Sequence, residues 1–443
     1  MSVTGGHVAV FAFPFGTHAA PLLTLVQRLA AAAPNLRFSF FCSTQSNQKA
    51  FSRVKHEGFD NIKPYNVADG VPEGHVFSGH PLEAMEFFLN AMPKNFKSRL
   101  EDVVEETGLK VSCLLTDAFL WFSGDMAEEM GVPWVAFWTA GPCSISIHIY
   151  TDVIRNTIQS TAGKAENADQ TLNFLPGMAP IHVNDLPEGV LYGNLDSPFS
   201  RMLHNMGLTV EQATTVEEID PVITDDLKSK MKKVLNHHHP SYSDENGCIS
   251  WLDKCETASV AYLSFGTILT PPPPELLSLA EALEEKGVPF IWSFRDNSKQ
   301  HVLEGFLERT RNLGKVVPWA PQLQVLQHPS VGVFITHCGW NSVWESIAGG
   351  VPMICRPFFG DQKLNRRMVE DVWKIGVGVE GGIFTKCGTV TALDLVLLNE
   401  KGKKMRENTG GIKANAVKAV GTNGSSTENF ETLLEVVTTS KKT

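Results

Sequence analysis

The sequence predicts an α/β protein of two domains, each a parallel sheet covered by helices. A chain of 443 residues is too long for one ordinary core and suits two of roughly 200 residues each. Apolar runs of strand length alternate along it with stretches of helical period, the pattern of strand–helix–strand units. A polar stretch containing Pro240, Ser241, Ser243 and Asn246 separates one alternating series from a second. Hydrophobic residues at 43% and charged residues at 19% indicate a globular chain able to bury a sizeable core. The net charge of −10 argues against a nucleic-acid or anionic-membrane surface.

The first series opens with a strand over 7–13, then Pro14-Phe15-Gly16-Thr17-His18, then a helix whose Leu22, Leu25, Val26 and Leu29 make one buried face. Strands over 37–43, 62–65, 111–115 and 133–138 follow, with helical patterns between several of them. Such alternation implies a parallel sheet, whose ligands collect at the carboxyl ends of the strands. His18 follows the first strand, Asp117 the fourth and Thr139 the fifth, so all three converge on one crevice. A lone histidine after a strand is more often structural than catalytic, and Asp117 serves equally as a helix cap before Ala118, Phe119 and Leu120. Together, however, a strand-end His and a strand-end Asp are the two parts of a general-base dyad. Neutral imidazole takes a proton while the carboxylate holds its tautomer and stabilises the imidazolium.

The second series begins near Gly247-Cys248-Ile249-Ser250-Trp251-Leu252. A strand over 260–265 leads into Gly266-Thr267, and Pro271 to Pro274 precede a helix through Leu276, Leu279, Ala282 and Leu283. Strands over 289–292, 331–335 and 351–355 and an edge at Val316-Val317 complete it. After Ile335 the chain breaks at Thr336-His337-Cys338-Gly339-Trp340-Asn341-Ser342, a strand-to-helix turn with Asn341 and Ser342 at the cap position. Unpaired helix N–H groups favour an anion there, with His337 as a further donor. The turn has neither the dinucleotide GxGxxG nor the P-loop pattern. Further on, Thr409-Gly410-Gly411 interrupts a helical pattern, and a last helix over 429–437 puts Phe430, Leu433, Leu434 and Val437 on one face.

Eight scattered cysteines, Cys42, Cys113, Cys143, Cys248, Cys255, Cys338, Cys355 and Cys387, have no CxxC spacing and read as reduced thiols rather than disulfides or a zinc site. The run after the N-terminus is a strand's length with no basic segment before it, so neither a signal peptide nor a membrane span is expected and a cytoplasmic location is the default.

The stretch 319–362 carries Trp319, Ala320-Pro321-Gln322, His328-x-x-x-Gly332, Thr336 to Ser342, Glu345, Gly350-Val351-Pro352 and Asp361-Gln362 in one register. It resembles, over its whole length, the signature box of plant secondary-product UDP-glycosyltransferases. Phe13-Pro14-Phe15-Gly16-Thr17-His18 and Leu114-Leu115-Thr116-Asp117-Ala118-Phe119 are similar to the segments in which that family carries its catalytic His and partner Asp. The similarity covers nearly the whole chain. It implies the GT-B fold, two Rossmann-like domains with parallel sheets facing across a cleft. The corresponding division is an acceptor domain 1–236, a linker 237–248, a UDP-sugar domain 249–425, and a helix 426–443 that packs back on the first domain.

By the same resemblance His18 is the base and Asp117 its orienter. Trp319 stacks on uracil and the Ala320 backbone pairs with its edge, while Gln322 and Glu345 hold the ribose. Thr267, His337, Asn341 and Ser342 bind the diphosphate; Trp340, Asp361, Gln362 and Thr139 hold the sugar. Acceptor contacts fall to Phe15, Gly16, Leu82, Phe119, His148 and Phe359. The implied reaction is inverting transfer of glucose from UDP-glucose, a co-substrate, with no metal and no further cofactor, by a monomer.

Asp69-Gly70-Val71-Pro72-Glu73-Gly74, Trp138-Thr139-Ala140-Gly141-Pro142 and Arg356-Pro357-Phe358-Phe359-Gly360 look like the branch acting on the 3-hydroxyl of flavonols and anthocyanidins. Gln362, where galactose-preferring relatives tend to carry His, points to glucose. Leu82 replaces a Gln that relatives often use on the flavonoid. The segment after Val216 lacks the family's longer apolar strand, and the linker with His237, His238 and His239 is short. Two alternatives stay open: another phenolic acceptor, or a catalytically weak UDP-sugar or flavonoid binder. A sugar-nucleotide epimerase on the same fold is disfavoured by the box.

Overall fold

The computed structural model describes residues 6–16, 18–51, 60–78, 83–161, 170–175, 178, 180–213, 244–266, 268–295 and 304–439. Leu82, Thr267, the segment around Val216 and the histidines at 237–239 lie outside them. Five of the apolar runs form one sheet: β1 (His7–Phe11), β2 (Arg37–Ser43), β3 (Ile62–Val67), β4 (Cys113–Asp117) and β5 (Trp134–Phe137). All pairings are parallel and the order is β3-β2-β1-β4-β5. The strands keep to the expected runs within two or three residues at each end. The central strand β1 is buried at every position, as a strand covered on both faces must be.

Helix Ala19–Ala32 covers one face of this sheet through Leu22, Leu25, Val26 and Leu29 at helical spacing. The long helix Glu83–Thr107 belongs to the other, where Phe88, Phe96 and Val103 pack with Phe11 and Phe13. The last helix, Ser425–Thr438, places Val437 in the first face's core and Phe430 beneath the Arg28 guanidinium at 4.4 Å. A two-stranded ribbon of β6 (Thr171–Leu172) and β7 (Ile181–His182), absent from the sequence expectation, leads to helix Pro198–Ala213.

The second sheet holds β8 (Val260–Ser264), β9 (Phe290–Ser293), β10 (Gly314–Val317), β11 (Val331–Thr336), β12 (Met353–Cys355) and β13 (Gly376–Gly378). It too is parallel throughout, in the order β10-β9-β8-β11-β12-β13. Strand β13 was not expected, because Gly-Val-Gly has little strand propensity. Its glycine is there for close approach: a Cβ on Gly376 would stand 2.4 Å from the Met353 carbonyl oxygen.

The interruption expected at Thr409 does not occur, since one helix runs through Glu400–Val420. Thr409 is fully buried and donates its hydroxyl to Met405 O at 2.7 Å, while a Cβ at Gly410 or Gly411 would meet open space. The glycine cost falls on the solvent side, and burial of Thr409, Ala416 and Val420 offsets it.

The described residues fall into two compact units. The first runs to Asn184, resumes at Glu188 through helix Pro198–Ala213, and takes back the chain from Ser426. The second runs from residue 244 to Ser425 and also holds Asp185–Pro187. Among the described residues no helix is long and apolar enough to cross a membrane.

Candidate active site

In each sheet the chain reverses its winding direction beside the first strand, and the side chains of interest stand at that switch point. In the first unit β1 lies between β2 and β4, with Phe11 level with Thr116, so the residues leaving β1 and β4 come together. His18 precedes the first turn of helix Ala19–Ala32, and Asp117 is the last residue of β4. His18 Nδ1 lies 2.8 Å from Asp117 Oδ2. Asp117 is 1% exposed, and its Oδ1 accepts the Phe119 amide at 3.0 Å. A carboxylate accepts only, so Nδ1 carries the proton and Nε2 keeps its lone pair. Nε2 makes no hydrogen bond among the described residues, and the His18 side chain is 17% exposed.

Thr139, two residues past β5, adds a contact that the sequence did not reveal: its Oγ1 stands 2.8 Å from the same Nδ1. The residue expected at the sugar therefore also touches the base. Strand adjacency explains it, since β5 pairs with β4 and Asp117 is level with Phe137.

Aromatic residues surround this dyad. The Phe119 ring lies 4.5 Å from the His18 ring, and Phe13 meets it edge-on at 5.1 Å. Phe15 is half-buried against Phe13 and Phe88, next to Gly16, whose φ of 61° is the left-handed turn that lets the chain leave β1. Trp138 packs on Phe119 and on His148. His148 is buried, and burial pushes its pKa down to about 4, so the ring is neutral at pH 7. Phe13, Phe119, Phe122 and Trp138 are nevertheless core residues, each under 10% exposed.

Two further residues escaped sequence reading. Phe199, on helix Pro198–Ala213, packs against Phe119. Gly207, on the same helix, allows contact with helix Pro142–Ile149, because a Cβ there would lie 2.2 Å from the His148 carbonyl oxygen.

In the second unit β8 and β11 flank the switch point. The helix beginning at Trp340 has Gly339 as its N-cap with no side-chain cap, which corrects the expectation that Asn341 and Ser342 cap it. They sit inside the first turn, where backbone N–H groups lack intrahelical partners. Reaching that turn costs a left-handed Cys338, φ 62°, whose amide is held by Thr336 Oγ1 at 3.2 Å and whose carbonyl accepts from Asn365 Nδ2 at 3.0 Å. The His337 imidazole is clamped between two glycines: a Cβ would stand 2.4 Å from its Nε2 at Gly339 and 2.9 Å at Gly266. Burial pushes its pKa down to about 4, so His337 is a neutral donor rather than a cation.

Gln322 donates from Nε2 to Glu345 Oε2 at 2.6 Å and to Ser342 Oγ at 3.2 Å, and accepts from Tyr262 OH at 3.1 Å. Two side chains expected at the ribose are thus already joined, and buried Tyr262 fixes the amide's orientation. Trp319 keeps 40% of its surface exposed beside Ala320, which is buried. The loop after β12 is tied down by Arg356, which donates to both oxygens of Glu275. Asp361 Oδ2 accepts from Asn365 at 2.8 Å. Gln362 Oε1 accepts the amides of Phe358 and Phe359 at 2.8 and 3.2 Å, so of its amide only the nitrogen is left for a ligand. Phe359, expected at the acceptor, stands in this loop, its amide held by Gln362 Oε1. The Trp340 indole packs among Trp344 and Trp373 and is 4% exposed, so its ring belongs to the core.

Comparison with known proteins adds an independent line. Residues 249–409 match the family model described as UDP-glucoronosyl and UDP-glucosyl transferase. The chain is 59% identical to flavonol 3-O-glucosyltransferase F3GT2 of Actinidia chinensis var. chinensis, covering 98% of this chain and 97% of that one. It is 54% identical to anthocyanidin 3-O-glucosyltransferase UFGT of Vitis vinifera, covering 99% of each. The crystal structure of a UDP-glucose: anthocyanidin 3-O-glucosyltransferase in complex with UDP matches with a TM-score of 0.88 at 43% identity over 99% of both chains.

Proposed function

The chain belongs to the UDP-glucoronosyl and UDP-glucosyl transferase family, with the GT-B fold, and we propose that it transfers glucose from UDP-glucose to the 3-hydroxyl of a flavonol or anthocyanidin. The observation that carries this reading is the His18 to Asp117 pair, with Nδ1 on the carboxylate and Nε2 open as a base. His18 Nε2 takes the proton of the acceptor hydroxyl. The oxygen attacks the anomeric carbon as the bond to the diphosphate oxygen breaks on the opposite face, so configuration inverts to β. Asp117 stabilises the imidazolium that forms.

The donor is assigned to the second unit. Uracil stacks on Trp319 and pairs with the Ala320 backbone; Gln322 and Glu345 take the ribose hydroxyls. Charge that develops on departing UDP meets the first-turn N–H groups at Trp340, Asn341 and Ser342 and the neutral His337, donors held in place before the reaction. Thr267 joins them in this proposal. Asp361, the Gln362 nitrogen and Thr139 are assigned to the sugar.

The acceptor is assigned to the aromatic group around His18, with Phe15, Gly16, Phe119 and His148 as contacts and the sequence position Leu82 as another. A flat phenol suits it on two grounds: aromatic rings favour edge-to-face contacts, and a phenol's acidity lies closer to that of imidazole than an aliphatic alcohol's does. The test is UDP release from UDP-glucose with kaempferol and with apigenin, which differs by lacking the 3-hydroxyl. Turnover of kaempferol alone is expected; equal turnover of both would refute the 3-position. His18→Ala should abolish release while UDP still binds.

A further inference from the structure

Trp319 is an unusual residue for its surroundings, a large indole left 40% exposed beside a fully packed sheet. Its main chain is fixed: Asn246 Nδ2 donates to the Trp319 carbonyl at 2.8 Å, and Lys315 Nζ in turn donates to the carbonyl of Gly247 at 3.1 Å and to that of Asn246. An exposed indole on a fixed backbone still has its two side-chain torsions to lose when a ligand stacks on it. One neighbour constrains them. Arg295, two residues past the end of β9, lays its guanidinium over the Trp319 ring, 3.9 Å from the centroid. A planar cation at that distance is in cation–π and stacking contact. The gap leaves no room for a third ring, since stacked aromatic layers need about 3.5 Å each. With Arg295 in this place, a base that stacks on Trp319 has the opposite face to take.

We propose that Arg295 is a positioning residue for the nucleotide: it holds the Trp319 indole in its stacking orientation from the rear face, and so sets the affinity for the uracil base rather than for the phosphates. This rests on the assignment of uracil to Trp319 above. Cation–π contacts at exposed sites are worth about 0.5–1 kcal/mol, which corresponds to a two- to fivefold change in Kd.

The experiment measures uridine, UMP and UDP binding by calorimetry to the full chain and to Arg295→Ala, Arg295→Lys, Trp319→Ala and the Arg295→Ala/Trp319→Ala double variant. Arg295→Ala should raise Kd two- to fivefold, equally for all three ligands, and Arg295→Lys should recover part of the loss. In the Trp319→Ala background Arg295→Ala should change nothing further. A loss that grows from uridine to UDP would make Arg295 a phosphate contact and overturn the proposal. Tighter binding in Arg295→Ala would mean that the guanidinium competes with the base, and would also overturn it. Unchanged binding would do the same. If Trp319→Ala alone leaves all three affinities intact, the uracil assignment itself fails, an outcome distinct from failure of Arg295 with Trp319 upheld.

Discussion

Replacing Asp117 by Asn tests the base most sharply, because it removes one charge and little else. The variant keeps an oxygen to accept the Phe119 amide, now at 3.0 Å, so the local backbone should hold. What it loses is the carboxylate 2.8 Å from His18 Nδ1, in a position only 1% exposed. As His18 takes the acceptor proton, an imidazolium forms beside that group. At a charge separation of about 4 Å and an effective dielectric near 20, the carboxylate stabilises it by about 4 kcal/mol. Each 1.36 kcal/mol is tenfold in rate, so kcat should fall by about 10³. An amide N–H turned toward Nδ1 would also favour the proton on Nε2, which blocks the base. The assay is kcat at saturating UDP-glucose and flavonol, alongside the Kd of UDP, which should stay within about twofold because the proposed nucleotide contacts lie elsewhere. A kcat within tenfold of the parent would refute the dyad as the source of catalysis.

Further outcomes follow from the same geometry. Glu345→Ala, which removes a charged hydrogen-bond partner worth about 1.5–3 kcal/mol, should raise the donor KM by about 10- to 100-fold with a smaller effect on kcat; an unchanged donor KM would reject the ribose assignment. Gly207→Ala forces a Cβ to 2.2 Å from the His148 carbonyl oxygen, an overpacking cost of about 1–3 kcal/mol. Calorimetric melting should show a lower Tm, and the acceptor KM should rise more than the donor KM; no change in either would mean the helices sit further apart. For His148 the folded pKa of about 4 lies below the ordinary value of 6.5, so the unfolded chain binds the proton first as pH falls. Its contribution to stability is therefore complete above pH 6.5 and is lost between 6.5 and 4, amounting to about 2–3 kcal/mol at pH 4.5. Urea titrations at pH 7 and 4.5 should show that loss shrinking in His148→Phe; equal losses would show that His148 does not titrate in this window.

Much of this arrangement was legible in the residues because the strands are short apolar runs with clear limits. Once a parallel sheet is inferred, His18, Asp117 and Thr139 have nowhere to go but one end of it, and the structure puts Asp117 and Thr139 on one ring nitrogen of His18. What the sequence concealed depends on packing between distant elements. Gly207 carries no signal of its own in the sequence; only the fold brings the His148 carbonyl oxygen to 2.2 Å from where its Cβ would be. Strand β13 carries two glycines that propensity counts against a strand, yet Gly376 is required by the approach of Met353. Gly410 and Gly411 misled in the opposite direction, because buried Thr409 and Ala416 hold that helix whatever its exposed face prefers. That the Trp340 ring is core was likewise hidden, because the indoles of Trp340, Trp344 and Trp373 meet 5.4 to 6.3 Å apart only once the chain is folded. Neither Tyr262 beneath Gln322 nor Arg295 over Trp319 has a motif of its own; each matters only through the residue it touches.

The central claim is inverting glucosyl transfer to one hydroxyl, driven by His18, and NMR of the product made from UDP-glucose and kaempferol tests it most directly. A single glucoside at the 3-oxygen, with the large H1–H2 coupling of a β linkage and absent from the His18→Ala reaction, is the expected result. An α linkage, attachment at another oxygen, or the same product from His18→Ala would contradict it.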